Sequence, residues 1–363
     1  MTTTRNLSLR SLIRNVFYHH GAHVDLTFCL QALDALDASD HLRRQCLDLL
    51  RKLCGQHRIV PKSFNLLPGT VRRVGTYPEA SGAFAEVWKG QYDGQPVALK
   101  VFRILKGDDK GGIVQDLKTF CQEAIIWKRL RHRNITPFHG VDSTSFLPRL
   151  AMVCDWMFHG TITVYLENNQ SADRLRLILD VAEGLQYLHH SDIVHGDLKS
   201  HNILVNEQRT ACITDFGLAA MHFAGKLKTI SVTAGSTRWM SPELIDPEQF
   251  DLKKAELSRQ SDIYALALVM WEIFTGRIPF YQFTREATVI TQVLRGTRPR
   301  RPPQATQLGL LDDVWTMIEA CWQPVWQDRP DTDALVEGVR KTLAEYAASG
   351  AEHTPQTWPL DMD

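Results

Sequence analysis

Residues 193–205 read IVHGDLKSHNILV, and this string places Asp197 and Asn202 five residues apart with Lys199 between them. An aspartate can accept the proton of an attacking hydroxyl, and an asparagine is a neutral oxygen donor for a hard cation such as Mg2+. Downstream, TDFGLA offers a second carboxylate, Asp215, of the kind that oxygen-seeking Mg2+ prefers. The pattern predicts a fold that brings a proton acceptor, a cation and two metal-holding groups to one reaction.

A chain of 363 residues with 44% hydrophobic side chains is long enough for one large two-lobed domain or two ordinary ones. Lys plus Arg (41) balance Asp plus Glu (41), so no global field draws the chain onto nucleic acid or an anionic membrane, and neither is expected as a partner. The local run RGTRPRRPP from Arg295 reads as a solvated loop, because its prolines forbid a basic helix. The seven cysteines are scattered without the close pairing that ligates zinc, as expected of reduced, buried thiols in an intracellular protein. No apolar run approaches bilayer length and the N-terminus lacks a secretory apolar core, so the cytoplasm is the expected compartment, with the nucleus as a second.

Residues 1–23 read as a basic arm; their Arg, Ser and Thr without acids also match a mitochondrial transit peptide. Helical spacing at 24–36 and 42–54, the latter through Leu42, Cys46, Leu49, Leu50 and Leu53, predicts a helical hairpin over 24–66. Its apolar face must bury against the following domain or a protein partner. From about residue 69 the pattern turns to strands, EVWKG, the Asp93-Gly94 turn and PVALKVF, predicting an antiparallel hairpin. Ile113, Leu117, Phe120, Ala124, Trp127 and Leu130 then mark one face of a long helix, and beyond Thr161 the signals are mostly helical. The expected fold class is α+β: a small antiparallel β lobe with one helix over 67–157, a larger α-helical lobe over 158–346, and a disordered polar tail over 347–363.

Phosphoryl transfer from a nucleotide needs a cover over the phosphates, a cation on the non-transferred ones, metal-holding groups and a residue to orient the attacking hydroxyl. Lys100 at the end of VALK supplies a cation and Glu123 an ion-pair partner for it; Asp197, Asn202 and Asp215 supply the rest. Each triplet alone is weak, but the ordered set Lys, Glu, HGDLKSHN, DFG and SPE is not. Residues from about 69 to 346 resemble a eukaryotic protein kinase domain, and are most similar to the tyrosine-kinase-like group of serine/threonine kinases through Trp239-Met240 and the CW…DRP ending. His-Gly-Asp with a helical N-terminal arm also resembles fungal kinase-like proteins.

The resemblance implies a two-lobed kinase fold, ATP and Mg2+ as cofactors, and a protein substrate. It implies Asp197 as the base, the Lys100–Glu123 ion pair, and Asn202 and Asp215 as metal ligands. Lys199 matches the lysine that reaches the transferred phosphate in serine/threonine kinases. Cys154 falls at the gatekeeper position, with a hinge from Asp155 to Met157, and Ala98 and Leu204 sandwich the adenine. Gly82 belongs to the phosphate cover, with Phe84 at its tip, and Val87 matches the residue above adenine. Ser236 takes the place of the usual threonine near the substrate, Glu243 is tied to Arg329, and Asp262 anchors the catalytic loop.

Three departures stand out. Ala80 and Ala85 replace the first and third loop glycines, which predicts weakened nucleotide binding. Gly196 replaces an arginine that is neutralised by activation-segment phosphorylation in the family, which predicts activity independent of sites such as Thr229, Ser231 and Thr233. Trp127 stands where the family has a mid-sized apolar residue, and reads as packed core. Two alternatives stay open: a pseudokinase acting as a scaffold, and a small-molecule phosphotransferase of the aminoglycoside or choline kinase type, which also writes HGD…N.

Overall fold

In the computed structural model, residues 41–82, 85–102, 110–216, 220–221, 236–348 and 357–362 are described. The expected first helix at 24–36, the arm, Phe84, the three activation-segment hydroxyls and residues 349–356 lie outside them.

The second helix of the expected hairpin forms as α1, His41–His57. Cys46, Leu47, Leu50 and Cys54 recur at helical spacing and are all buried. This stripe packs on α2, Lys110–Trp127. The sequence places Gly55 just past the end of α1, yet the helix runs two residues further. The reason is packing: a Cβ at Gly55 would lie 2.7 Å from Cγ of Gln122 on α2, so the glycine allows close approach.

The chain divides into two compact units, Met1–His132 with Thr136–Trp156, and Arg133–Ile135 with Met157–Asp363. The first is built on an antiparallel sheet of β1 (Val71–Val74), β2 (Ala80–Ser81), β3 (Ala85–Tyr92), β4 (Gln95–Phe102), β5 (Phe138–Asp142) and β6 (Ala151–Asp155). Among the described residues the strand order is β1-β3-β4-β6-β5, with β2 paired to β3. The β3–β4 turn is Asp93-Gly94, both at positive φ (49° and 76°), the turn whose twist matches paired strands. Trp88, Val97, Leu99, Val101, Phe146 and Val153 form one apolar cluster of this sheet. Trp127 is buried as core: it stacks on Phe138 at 5.1 Å and donates its indole N–H to the Thr136 carbonyl at 2.7 Å.

The second unit is mainly helical: α3 (Ile162–Asn168), α4 (Arg174–His190), α5 (Pro242–Ile245), α6 (Arg259–Thr275), α7 (Glu286–Leu294), α8 (Asp312–Cys321) and α9 (Thr332–Ala348). Asp173 caps α4, accepting from the Arg176 N–H at 3.0 Å; Ser258 and Ser261 form a reciprocal capping box on α6. Helix α6 is buried on all sides from Ser261 to Thr275, and α4, α8 and segments from the catalytic loop pack around it. Short ladders β7 (Ile193–Val194) with β10 (Ala220–Met221), and β8 (Ile203–Val205) with β9 (Ala211–Ile213), frame the HGDLKSHN loop.

Two expectations are corrected here. The polar tail is not loose throughout: Trp358 and Leu360 are buried, Leu360 N–H donates to the Thr275 carbonyl at 2.9 Å, and Arg174 lies 5.8 Å over the Trp358 ring. An indole and a leucine recover enough apolar burial to dock a short segment that composition marks as polar. The basic run is not simply solvated either. Arg298 donates to the Trp322 carbonyl and covers Tyr264, Arg301 bonds Asp312 at 2.6 Å, and the Arg300 carbonyl accepts from Trp271. The prolines do exclude a helix, but guanidinium groups with long stems can pack while bonding carbonyls.

Candidate active site

The first unit supplies a cation on a rigid strand. On β4, Lys100 sits directly opposite Val87 of β3 and Met152 of β6, and Ala98 sits opposite Cys154. The period of two then puts Val87, Ala98, Lys100 and Cys154 on one face of the sheet. Lys100 Nζ donates to Glu123 Oε1 of α2 at 2.8 Å, with the carboxylate almost wholly buried and the lysine partly open. Burial pushes the Cys154 thiol up to about 12, with the Lys100 charge pulling the other way and those of Asp155 and Glu123 adding to the rise, so it is a neutral, compact wall of this face. Asp155 and Trp156 donate their N–H groups to the Pro137 and Pro96 carbonyls at 3.1 and 3.3 Å, which fixes the backbone where β6 ends. In the loop between β2 and β3, the N–H of Gly82 donates to the Ala85 carbonyl at 2.9 Å.

In the second unit the HGDLKSHN segment is held from both directions. Asp262 of α6 accepts from the His195 N–H (2.8 Å), the Gly196 N–H (2.9 Å) and the His189 ring (2.9 Å), as expected of an anchor beneath the loop. Asp197 is met by two donors at Oδ2: Lys199 Nζ at 2.8 Å and Asn202 Nδ2 at 3.0 Å. Asn202 Nδ2 also donates to the Asp197 carbonyl at 2.8 Å. With Nδ2 committed, the carbonyl Oδ1 is the Asn202 atom able to meet a cation. The ammonium of Lys199 reaches Ser236 Oγ as well, again at 2.8 Å.

Backbone pairing explains how Asp215 joins them. The β8–β9 ladder pairs Ile203 with Ile213 and continues as Thr214 N–H donating to the Asn202 carbonyl at 2.9 Å. Asp215 therefore follows immediately after the residue bonded to Asn202. Its backbone is left-handed (φ 65°), a conformation that costs a non-glycine residue about 1–2 kcal/mol and is met at sites that need a side chain re-aimed. A carboxylate and an amide oxygen are hard donors that suit Mg2+, which is held by one or two protein groups plus substrate phosphates rather than by an all-protein cage. Among the described residues no cluster of three His, Cys, Asp or Glu side chains is arranged for a metal. Leu204, on β8, bridges Thr161, and Met157 is buried at the start of this unit.

The segment after Ser236 is fixed by a buried ion pair. Arg329 bonds Glu243 at both oxygens (2.7 and 2.8 Å), and its Nε donates to the Gln323 carbonyl. Removing one partner of such a pair leaves an uncompensated charge, worth about 3–5 kcal/mol. One residue that the motifs do not reveal is Glu272 of α6, which is 1% exposed. Its Oε1 accepts from the Ser200 hydroxyl at 2.6 Å and its Oε2 from the Trp239 indole at 3.2 Å. Burial raises its carboxyl to about 7, with the Ser200 and Trp239 hydrogen bonds opposing the rise. The signal was a single acid inside the apolar run IYALALVMWEIF.

The sheet unit thus carries a lysine paired to a buried glutamate, and the helical unit brings Asp197, Lys199, Asn202 and Ser236 into one hydrogen-bonded group. The model for the protein tyrosine and serine/threonine kinase family matches residues 79–339, and the chain belongs to that family. It is 30% identical over 274 residues to serine/threonine-protein kinase STY17 and 31% over 280 residues to STY46, both of Arabidopsis thaliana, covering 73% and 75% of this chain. It is 29% identical over 269 residues to the Arabidopsis thaliana serine/threonine/tyrosine-protein kinase HT1, covering 72% of this chain. The match spans 44% of the length of STY17 and of STY46, and 64% of HT1. These relatives are of the tyrosine-kinase-like group expected from Trp239-Met240 and the CW…DRP ending.

Proposed function

We propose that the protein transfers the γ-phosphoryl group of Mg-ATP to serine or threonine hydroxyls of protein substrates. The observation that carries this reading is Lys199, whose ammonium contacts both Asp197 Oδ2 and Ser236 Oγ at 2.8 Å. It stands where a transferring phosphoryl needs a cation next to the base, in the position at which serine/threonine kinases carry a lysine. Asn202 Oδ1 and the Asp215 carboxylate would hold Mg2+, which would supply positive charge to neutralise the phosphates. Lys100, held by Glu123, contacts the non-transferred phosphates. In the first unit Val87, Ala98 and Cys154 are the residues for adenine, with the backbone of Asp155 for its edge and Gly82 for the phosphates; in the second unit Leu204 and the backbone of Met157 have the corresponding roles.

In the transfer step the substrate hydroxyl oxygen bonds to the γ-phosphorus, the bond from that phosphorus to the β–γ bridging oxygen breaks, and the hydroxyl proton passes to Asp197. Positioning and electrostatics supply nearly all of this rate, and the groups that do so are present. The anchored Glu243–Arg329 segment supports a protein substrate over a small molecule, because a small-molecule phosphotransferase has no use for a fixed peptide seat. The cytoplasm, with the nucleus as second compartment, fits the six described cysteines, all buried thiols, and no described helix is long and apolar enough to cross a membrane. A protein partner of the hairpin would act through surface other than the buried α1 stripe.

One observation favours a second reading, a pseudokinase scaffold: alanines flank Gly82, whose N–H is already donated to Ala85. The two are separated by assaying γ-phosphate transfer to a generic protein such as casein, for the wild type and Asp215→Asn, followed by phosphoamino acid analysis. Phosphoserine and phosphothreonine from the wild type, and little from the variant, are expected. Equal signals remove the enzyme reading, and phosphotyrosine alone removes the serine/threonine assignment.

A further inference from the structure

A carboxylate placed in the middle of a fully buried helix is costly unless its oxygens are met, and Glu272 is the one acid between Ile263 and Thr275 of α6. Its two oxygens meet donors from two different segments: Ser200, next to Lys199 in the catalytic loop, and Trp239, in the turn that Ser236 begins. Those segments are also joined on their other side, because Lys199 bonds Ser236. Within the turn, the Trp239 N–H donates to the Ser236 carbonyl at 3.1 Å. The contacts therefore form a closed ring that runs from Glu272 through Ser200, Lys199, Ser236 and Trp239 back to Glu272.

We propose that Glu272 is a positioning residue for transfer to the protein substrate, closing the ring that keeps Lys199 in register with both Asp197 and Ser236. The inference rests on the kinase reading given above. An indole N–H can only donate, whereas the Ser200 hydroxyl can donate or accept, so position 272 needs one terminal atom that accepts from Trp239 and a second that hydrogen-bonds Ser200 in either sense. Opening the ring at Glu272 lets the catalytic loop and the substrate-seating turn move apart while the first unit's Lys100–Glu123 pair is untouched. Misplacement of a reacting group by about 1 Å costs on the order of 10²-fold in rate.

The substitutions separate this role from simple packing. Glu272→Gln keeps the ring, because its amide oxygen accepts from Trp239 while its amide N–H donates to Ser200 Oγ. Glu272→Ala opens it at both ends, and Trp239→Phe opens one link while retaining an aromatic ring. Initial rates on casein, with ATP and casein varied separately, are expected to show kcat about 10- to 100-fold lower in Glu272→Ala with KM for ATP near wild type. Glu272→Gln should retain most of the rate and Trp239→Phe should fall between. Wild-type kcat in Glu272→Ala, or a Gln variant as impaired as the Ala one, overturns the proposal.

Amide hydrogen exchange at Trp239 and Asn202 gives a reading independent of catalysis, since these N–H groups bond the Ser236 and Lys199 carbonyls. Faster exchange at both in Glu272→Ala than in Glu272→Gln supports the ring, and equal exchange contradicts it. A wild type that transfers nothing defeats the kinase reading instead, and leaves the exchange result to judge the ring.

Discussion

Asp197→Asn is expected to lower phosphoryl transfer by about 10²- to 10⁴-fold while leaving the melting temperature close to wild type. The substitution keeps shape and removes the only negative charge that Lys199 Nζ and Asn202 Nδ2 both address at Oδ2. An amide cannot take the hydroxyl proton. Its oxygen can still accept one of the two donors, so the local fold has a way to persist, and the residue carries no part of the buried core. Initial rates and thermal unfolding on the same preparations check this. A rate near wild type contradicts the role of Asp197, and a large fall in melting temperature shows that the loss is structural.

Restoring an arginine at Gly196 is expected to harm the protein rather than confer control by phosphorylation. Gly196 has φ 79°, where a side chain costs about 1–2 kcal/mol. A Cβ there would lie 2.6 Å from Cδ1 and 3.0 Å from Cδ2 of Leu257, and overpacking adds about 1–3 kcal/mol. Leu257 is buried with Val194, Met240, Leu244 and Ala255, so the direction in which a Cβ would leave the loop at Gly196 is filled by an apolar plug. That plug links the strand before the catalytic loop to the segment ending in Glu243, a connection that needs no phosphate. Gly196→Arg should melt lower and transfer less whether or not the chain is phosphorylated. Leu257→Ala in the same chain should recover part of both, because the two positions share one contact. A Gly196→Arg protein that melts like wild type and gains activity on phosphorylation contradicts this account.

Local signals carried the parts of the fold that local physics decides. Asp93-Gly94 between alternating strands specified the β3–β4 turn, and the register then fixed Lys100 beside Ala98 and opposite Val87. The start of α4 at Asp173 and the ends of α6 at Ser258 and Gly276 are set by capping contacts that act within one turn. Asp197, Lys199, Asn202 and Asp215 were visible because a short loop and a two-strand ladder hold them close in sequence.

Contacts between distant segments were not visible. Glu272 reads as an odd acid in an apolar helix until Ser200 and Trp239, 72 and 33 residues away, reach its two oxygens. Leu257 gives no hint that it fills space beside Gly196. The tail was judged on composition, in which Trp358 and Leu360 are outnumbered by polar residues, although two large apolar side chains suffice to dock it. The arginines of 295–301 were judged as charge, whereas Arg298 and Arg301 act through stems and carbonyl contacts.

The proposed function needs Lys100 of the first unit to meet nucleotide phosphates and Asp215 of the second to hold Mg2+, and calorimetric titration of ATP with and without Mg2+ tests both roles most directly. Wild type should bind ATP more tightly with Mg2+ than without it, Asp215→Asn should lose that dependence, and Lys100→Met should bind more weakly in either condition. ATP affinity that ignores Mg2+ and both substitutions would contradict the account.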